Sequence, residues 1–112
     1  MCPPGEAGTI EGNFYRLCNS NVPNKEDFRT HYEKNNIPVG QECEARALSF
    51  CETLKSANSL RRKFKRFKNK VPVLVEITSS HGIGIIENHH LNLWEFSGVS
   101  FVVAKSNSNG GE

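Results

Sequence analysis

The stretch that decides the fold is Val71–Thr78, with the sequence VPVLVEIT. Valine, leucine and isoleucine fill most of its positions, and Glu76 is its single charged residue. Such a nearly continuous run of β-branched residues is typical of a strand that is buried on both faces. Pro72 fits near the start of the strand, because proline has no N–H to donate to a neighbouring strand. We therefore predict the central strand of a sheet at Val71–Thr78.

Three shorter stretches after this strand predict an antiparallel meander. They are Gly82–Glu87, Leu91–Phe96 and Ser100–Ala104. In the second of them, apolar Leu91 and Leu93 flank the polar Asn92, which is the alternation of a strand with one buried face. The connections between these stretches are short, and short connections favour antiparallel pairing.

Before Val71, strands and helices alternate. Strands are predicted at Asn13–Cys18, which is rich in aromatic residues, and at Ala45–Cys51, after a loop at Val39–Glu44. A first helix is predicted at Lys25–Lys34, where Asn24 can cap the N-terminus. A second helix is predicted at Thr53–Phe67. Its apolar residues recur at three- and four-residue steps and should share one inward face: Leu54, Ala57, Leu60, Phe64 and Phe67.

The chain divides into one folded domain between two tails. Residues 1–12 hold two prolines and three glycines, and residues 105–112 hold no apolar residue, so both segments are predicted to be disordered. Residues 13–104 are predicted to form a single α+β domain. We expect a mixed or antiparallel sheet of about five to six strands with two helices.

Composition excludes several classes of protein. The 112 residues are too few for an enzyme with a separate cofactor domain. No apolar run approaches the roughly 18 residues that a membrane-spanning helix needs, and the first residues lack the pattern of a secretion signal. We expect a soluble cytoplasmic protein, without a membrane partner, whose four cysteines are all reduced thiols: Cys2, Cys18, Cys43 and Cys51.

Positive charge is concentrated in Leu60–Lys70, which we call the basic segment. The whole chain has a formal charge of only +2, yet the basic segment carries seven of the 14 Lys and Arg residues and no acidic residue. Clustered cations favour a phosphate-bearing or otherwise acidic partner. The alternative interpretation is a solvated outer helix face. The predicted partner-binding residues are Arg61, Arg62, Lys65, Arg66 and Lys68.

Histidines give weaker indications of chemistry. His81 lies among glycines between two predicted strands, where backbone N–H groups could hold an anion or the glycines could serve turn geometry. His89 and His90 are consecutive, so in an extended chain their side chains point to opposite faces and cannot readily share a metal ion. We predict no metal site, whereas acid–base use of one histidine remains open.

Arg16 lies in the first predicted strand, where a cation is costly unless it has a carboxylate partner or an anionic ligand. The alternative interpretation is that this strand lies at the edge of the sheet and exposes Arg16 to solvent.

The order of these motifs carries a resemblance over about half of the chain. The runs FYRL at 14–17, EDF at 26–28, LSF at 48–50 and HH at 89–90 resemble a family of small uncharacterised bacterial proteins. More distantly, an arginine in the first strand and a serine in a strand followed by a helix are similar to ADP-ribosyltransferase-like domains, including the RES toxins that consume NAD. This resemblance implies that Arg16 engages the cofactor phosphates, Ser49 positions the nicotinamide side, and Glu95 stabilises an oxocarbenium ion.

These observations lead to competing functional hypotheses. The preferred one is a non-catalytic binding module without a cofactor, whose basic segment contacts a nucleic acid or an acidic protein. A second hypothesis is an enzyme or binder for NAD or another phosphorylated small molecule, with Arg16, Ser49, His81 and Glu95 in one pocket. A third is an immunity or regulatory protein that is recognised through its shape.

Overall fold

The structure of the protein is a computed structural model that describes residues 2–30, 33 and 40–104. Within these residues the predicted α+β class is confirmed, with two α-helices and a sheet of seven strands, slightly more than expected. The strands are β1 (Gly8–Thr9), β2 (Gly12–Cys18), β3 (Leu48–Cys51), β4 (Val71–Ile77), β5 (Gly82–Glu87), β6 (His90–Glu95) and β7 (Val102–Val103). The α-helices are α1 (Glu42–Ala45) and α2 (Leu54–Lys63).

All neighbouring strands pair antiparallel, in the order β1-β5-β6-β3-β2-β4-β7. The predicted strand at Val71–Thr78 exists as β4, but its central position is wrong. It lies second from the edge, where β2 pairs with it along seven residues and β7 along two. Burial alternates along β4, with Val73, Val75 and Ile77 buried and Glu76 exposed, so the expected burial of both faces is wrong. An apolar run also does not show how many strands lie on either side.

The core lies on one face of the sheet and draws on four strands and the segment before β2. Its buried members are Ile10, Phe14, Leu48, Phe50, Val75, Ile77, Leu91 and Leu93. Phe28 and Phe101 pack against this cluster with stacked rings whose centroids are 5.0 Å apart. Helix α2 follows β3 and precedes β4 in the chain. It buries Ala57 completely and contacts β2, β3 and β4.

The first predicted helix is shorter than expected. A 3₁₀ helix occupies Lys25–Phe28, and the next residue, Arg29, has extended backbone. The capping role of Asn24 is confirmed, because its side chain accepts from the Glu26 N–H while Asp27 accepts from the Asn24 N–H. Residues 31–32 and 34, half of the remaining predicted helix, lie outside the described residues. Short polar side chains such as Asn24 favour a turn as strongly as a helix start, which explains the error.

The second predicted helix begins as expected and ends early. Thr53 caps α2 through a reciprocal pair of bonds with Ser56, but the helix ends at Lys63 and Phe64 takes an extended conformation. A separate 3₁₀ helix follows at Lys65–Phe67. Continuing α2 would stack like charges one turn apart, which disfavours the helix. Leu54 is half exposed rather than inward, so only part of the predicted apolar face is buried.

Helix α1 occupies part of the loop predicted at Val39–Glu44, and residue 39 lies outside the described residues. The following strand is correspondingly shorter than Ala45–Cys51. The Trp94 indole N–H donates to the Cys43 carbonyl at 3.0 Å and ties α1 to the sheet.

The N-terminal segment is attached to the domain rather than disordered. Strand β1 pairs with Ile83 and Gly84 of β5, and Ile10 is buried in the core. Cys2 forms a disulfide with Cys43, so the prediction of four reduced cysteines is wrong for this pair and holds for buried Cys18 and Cys51. The spacing of 41 residues between Cys2 and Cys43 matches no recognisable motif. Sequence separation alone does not reveal which cysteines meet in space. The predicted tail at 105–112 lies outside the described residues.

Gly82 and Gly84 serve close strand packing, not turn geometry. A Cβ on Gly82 would collide with the Trp94 carbonyl oxygen, and one on Gly84 would lie 2.7 Å from the Asn92 carbonyl oxygen. The turn that joins β5 to β6 instead uses Asn88 and His89, which have φ angles of 52° and 64°. None of the described helices is long and apolar enough to span a membrane.

Candidate functional site

The sheet is open where β2 meets β3. Of the described residues in these two strands, only Tyr15 and Cys51 are paired in register, whereas β2 follows β4 over its full length. The two strands therefore diverge beside Arg16, the residue after Tyr15. Divergence leaves a space between them that a long polar side chain can fill.

Arg16 bridges this opening. Its Nε donates to the Asp27 carbonyl oxygen at 2.8 Å, and its Nη1 donates to the Ser49 carbonyl oxygen at 2.7 Å. The guanidinium carbon lies 5.8 Å from the centre of the Phe50 ring. Strand β2 lies between β3 and β4, so the alternative of an edge strand that exposes Arg16 to solvent is wrong.

The guanidinium of Arg16 has no carboxylate in contact with it among the described residues. The nearby Asp27 carboxylate instead accepts from the backbone N–H groups of Asn19 and Asn24, at 2.9 Å each. Burial lowers the pKa of Arg16, and the negative groups around it, Cys18 and Asp27 first, oppose that shift. Arginine stays protonated in proteins, so Arg16 is a largely buried cation that forms no ion pair with a described carboxylate.

Arg16 lines a cavity of about 390 Å³, which we call the Arg16 cleft. Its charged lining residues are Arg16, Arg29, Arg66 and Lys70 against Glu26 and Asp27. Glu26 is paired with Arg29 at 3.0 Å, and the Asp27 carboxylate is held by backbone N–H groups. The cleft therefore has an excess of positive charge. Its volume falls within the roughly 300 to 1,000 Å³ of small-molecule sites.

The sequence-based expectation that Arg16 and Ser49 share a pocket agrees with this arrangement. Both line the Arg16 cleft, and they are joined directly by the bond to the Ser49 carbonyl. The Ser49 hydroxyl lies 3.5 Å from the Asn92 amide oxygen, a long and weak contact. The Ser49 backbone is therefore bonded to Arg16, while its hydroxyl makes this long contact with Asn92.

The basic segment forms one wall of the cleft. Arg66 lies over the rings of Phe64 and Phe67, with its guanidinium carbon 4.9 and 4.6 Å from their centres. The two rings meet edge to face. Lys70 donates to the Asn19 side-chain oxygen at 2.6 Å. This wall combines fixed aromatic rings with cations, although sequence alone only indicated a charged helix face.

Four of the five predicted partner-binding residues are exposed. Arg62, Lys65, Arg66 and Lys68 reach solvent, and no described carboxylate forms an ion pair with them. Arg61 is half-buried, and its Nη1 donates to the Asn58 side-chain oxygen at 2.9 Å. The surface available to an acidic partner thus excludes much of Arg61.

His90 also lines the Arg16 cleft, and sequence reasoning assigned it no role there. Burial lowers its pKa, and the positive charge of Arg16 lowers it further, while a bond with Asn92 opposes the shift. The imidazole is therefore neutral at neutral pH. The position of His90 depends on its register with Cys51, which the sequence pattern does not reveal.

Two other predicted catalytic residues lie outside the cleft lining. His81 is buried, accepts from the Thr78 N–H at its Nδ1, and lies 2.9 Å from the Ser100 carbonyl oxygen through its Nε2. Its ring stacks on Phe101 at 4.9 Å. With both ring nitrogens bonded, His81 supports the loop before β5.

Glu95 lines a neighbouring cavity of about 740 Å³, together with Glu33 and Phe101. Burial raises the pKa of Glu95, and the charge of Glu33 raises it further, whereas Arg16 lowers it. Arg16 and Glu95 therefore influence each other electrostatically without a direct contact. Glu26 and Arg29 line both cavities, so they form the partition between them.

His89 is engaged in the turn. Its Nδ1 lies 2.9 Å from a carboxylate oxygen of Glu52, at the opposite end of β6 from Glu95. Within residues 2–30, 33 and 40–104, no three His, Cys, Asp or Glu side chains converge as metal ligands would.

No protein-family model, curated protein or solved structure matches the chain. The resemblance to small bacterial proteins and to ADP-ribosyltransferase-like domains stays a prediction.

Proposed function

We propose that the protein binds a phosphorylated ligand of nucleotide size in the Arg16 cleft. The observation that carries this proposal is a largely buried guanidinium, without a carboxylate partner among the described residues, beside a cavity that Arg66 and Lys70 also line. A phosphate group would complete the hydrogen bonds of Arg16 in a site where little water screens the charge. NAD and ADP belong to this class of ligand.

Aromatic side chains suit the rest of such a ligand. Tyr15, Phe64 and Phe67 line the same cleft as Arg16. Planar rings next to cations favour the stacking of a nucleobase. The neutral imidazole of His90 adds a hydrogen-bonding group that carries no competing charge.

Calorimetric titration with ADP, NAD and adenosine tests this function. We expect ADP and NAD to bind and adenosine to bind roughly tenfold more weakly or worse, because it lacks the phosphates that Arg16 would contact. Arg16→Lys keeps the charge and loses the planar fork, so it should weaken ADP binding by a similar factor. Arg62→Gln is the matched control, since Arg62 is exposed and does not line the cleft. Equal affinity for ADP and adenosine would contradict the proposal.

A second candidate function is the binding of an acidic macromolecule by the basic segment. The observation that favours it is the exposure of Arg62, Lys65, Arg66 and Lys68 without ion pairs to described carboxylates. Binding to a single-stranded RNA should weaken steeply with added salt, because phosphate contacts release counterions. The double variant Arg62→Glu, Lys68→Glu should abolish it. Equal competition by polyglutamate would instead indicate an acidic protein as the partner.

An NAD-consuming activity would also require Glu95 to act on the ligand that Arg16 and Ser49 bind. The cleft brings Arg16 and Ser49 together, while Glu95 lines the neighbouring cavity. Release of nicotinamide from NAD, measured by chromatography, tests the enzymatic alternative. Loss of release in Glu95→Gln with unchanged NAD affinity would assign Glu95 to the chemical step. Tight NAD binding without any release would favour a binding module.

A further inference from the structure

The Arg16 cleft and the basic segment share two cations. Arg66 and Lys70 belong to the basic segment and also line the cleft. Lys65 and Lys68 lie outside the cleft on the same segment, close in sequence to Arg66 and exposed to solvent. A polyanion on the basic segment would therefore lie next to the cleft.

We call the part of the cleft beside Arg16 its deep end. Arg16 is largely buried and donates to the Asp27 and Ser49 carbonyl oxygens, whereas Arg66 is exposed. An internal nucleotide needs two exits, one for each neighbouring phosphate. A terminal nucleotide needs one, so a phosphate on the buried Arg16 favours a chain end.

The charge at the deep end favours a phosphomonoester over a phosphodiester. A phosphomonoester carries about two negative charges near neutral pH, and a diester carries about one. The Arg16 N–H groups that are not bonded to Asp27 or Ser49 can donate to its terminal oxygens. The two described carboxylates of the cleft are engaged elsewhere, Asp27 with backbone N–H groups and Glu26 with Arg29.

We propose that the protein binds the phosphorylated end of a single-stranded nucleic acid, with the terminal phosphomonoester on Arg16 and the following phosphates on the basic segment. Phe64 and Phe67, which line the cleft, are placed to stack the terminal bases. This inference rests on the proposed binding of a phosphorylated ligand in the cleft and names the ligand class. A free mononucleotide carries a terminal phosphate too, so the test must distinguish a phosphorylated strand from a free mononucleotide.

Fluorescence anisotropy with the full chain provides the test. The probes are a short single-stranded RNA with a 5′-phosphate, the same RNA with a 3′-phosphate, and the same RNA with hydroxyls at both ends, each competed by ADP. We expect at least one phosphorylated strand to bind roughly tenfold or more tightly than the hydroxyl-ended strand. It should also bind more tightly than ADP, because it adds contacts to the basic segment.

Two variants separate the contribution of the terminal phosphate on Arg16 from that of the phosphates on the basic segment. Arg16→Lys should remove the preference for the phosphorylated end and leave the salt-sensitive affinity for the hydroxyl-ended strand. Lys65→Gln with Lys68→Gln should weaken both strands similarly and leave ADP binding unchanged, since neither lysine lines the cleft. If Arg16→Lys fails to fold, as amide NMR spectra would show, the comparison of phosphorylated and hydroxyl-ended strands with the unaltered protein still decides the matter.

The failures of the two proposals are distinguishable. If neither ADP nor any phosphorylated strand binds differently from its unphosphorylated counterpart, both proposals are wrong. If ADP binds in the cleft but the phosphorylated and hydroxyl-ended strands have equal affinity, end recognition is wrong and the cleft function stands. If ADP binds as tightly as the phosphorylated strand, the basic segment adds nothing and the inference is likewise overturned.

Discussion

Arg16 shows how a single residue connects fold and function in this chain. The side chain satisfies two backbone carbonyls, that of Ser49 in β3 and that of Asp27 in the first 3₁₀ helix. Removing it would leave buried acceptors unsatisfied, each at a cost of about 1 to 3 kcal/mol. The same residue is the best candidate for contact with an anion. A substitution at Arg16 must therefore be judged by stability and by binding separately, which is why Arg16→Lys is preferable to a truncation.

Glu95 provides a pH-dependent prediction. Burial, and then the charge of Glu33, raise the pKa of Glu95, so the folded protein holds this proton more tightly than the unfolded chain does. The associated stability is fully present below the unfolded pKa of about 4.5 and is lost as the pH rises through the folded pKa. We therefore expect Glu95→Gln to be more stable than the unaltered protein at neutral pH.

Denaturant unfolding of both proteins across this pH range is the measurement. The difference in stability should shrink toward acidic pH, where the unaltered Glu95 is protonated. A difference that does not depend on pH would show that Glu95 acts through packing rather than through its charge.

Cys18 and Cys51 allow a prediction about reactivity. Burial raises the pKa of Cys18 to about 11, with Asp27 as the next contribution, and burial also raises the pKa of Cys51. Because the thiolate is the reactive form, iodoacetamide at about pH 8 should leave both residues unmodified in the native protein. Mass spectrometry should detect both adducts once urea is added. Rapid native modification of Cys18 would show that β2 opens readily.

At the scale of elements, the hairpin β5-β6 depends on a two-residue turn with an unfavourable residue. Asn88 and His89 both have positive φ angles, as a type I′ turn requires, and glycine is preferred at the second position. His89 offsets part of this cost through its contact with Glu52. Both side chains are substantially exposed, so that contact contributes little.

His89→Gly should therefore stabilise the protein by up to about 1 kcal/mol, because glycine adopts this conformation without a Cβ clash. Thermal unfolding is the measurement. His89→Ala is the control, since it removes the Glu52 contact and keeps the backbone strain, so it should be less stable than the unaltered protein. A destabilised glycine variant would mean that the contact with Glu52 outweighs the turn geometry.

The elements that the sequence predicted well are those with a strong local pattern. The apolar run of β4 and the alternation of β6 identify strands, and Thr53 marks the start of α2. The early end of α2 was missed because the apolar spacing continues to Phe67 while the charges oppose a helix. The short strand β1 has no pattern of its own, and β7 occupies only two residues of the strand predicted at Ser100–Ala104. They exist because neighbouring strands provide unpaired edges.

The candidate site was predictable in its residue types and not in its geometry. A lone arginine in a strand indicated a carboxylate partner, an anionic ligand or an exposed edge, and the position of β2 rules out the exposed edge. The participation of His90, Arg66 and Lys70 in the same cleft depends on register and on the path of the chain after α2. Neither can be obtained from residue spacing along the chain.

At the scale of the whole molecule, the N-terminal segment and the sheet are linked covalently. Cys2 and Cys43 close a loop that contains β1 and β2, with a sequence separation of 41 residues. Disulfides are typical of oxidising compartments, so this pair argues against the cytoplasmic location expected from composition. The location itself stays a prediction, and the oxidation state of the purified protein bears directly on it.

The double variant Cys2→Ser, Cys43→Ser should be less stable by about 4 kcal/mol, because it restores the conformational freedom that a closed loop of this length removes from the unfolded chain. Chemical denaturation is the measurement, with the reduced unaltered protein as a matched comparison. The loss should appear locally as faster amide hydrogen exchange in β1, which pairs through only two residues. ADP binding should be unchanged, because neither cysteine lines the Arg16 cleft. Equal stability of the variant and the oxidised protein would mean that β1 and the buried Ile10 hold the N-terminal segment without the disulfide.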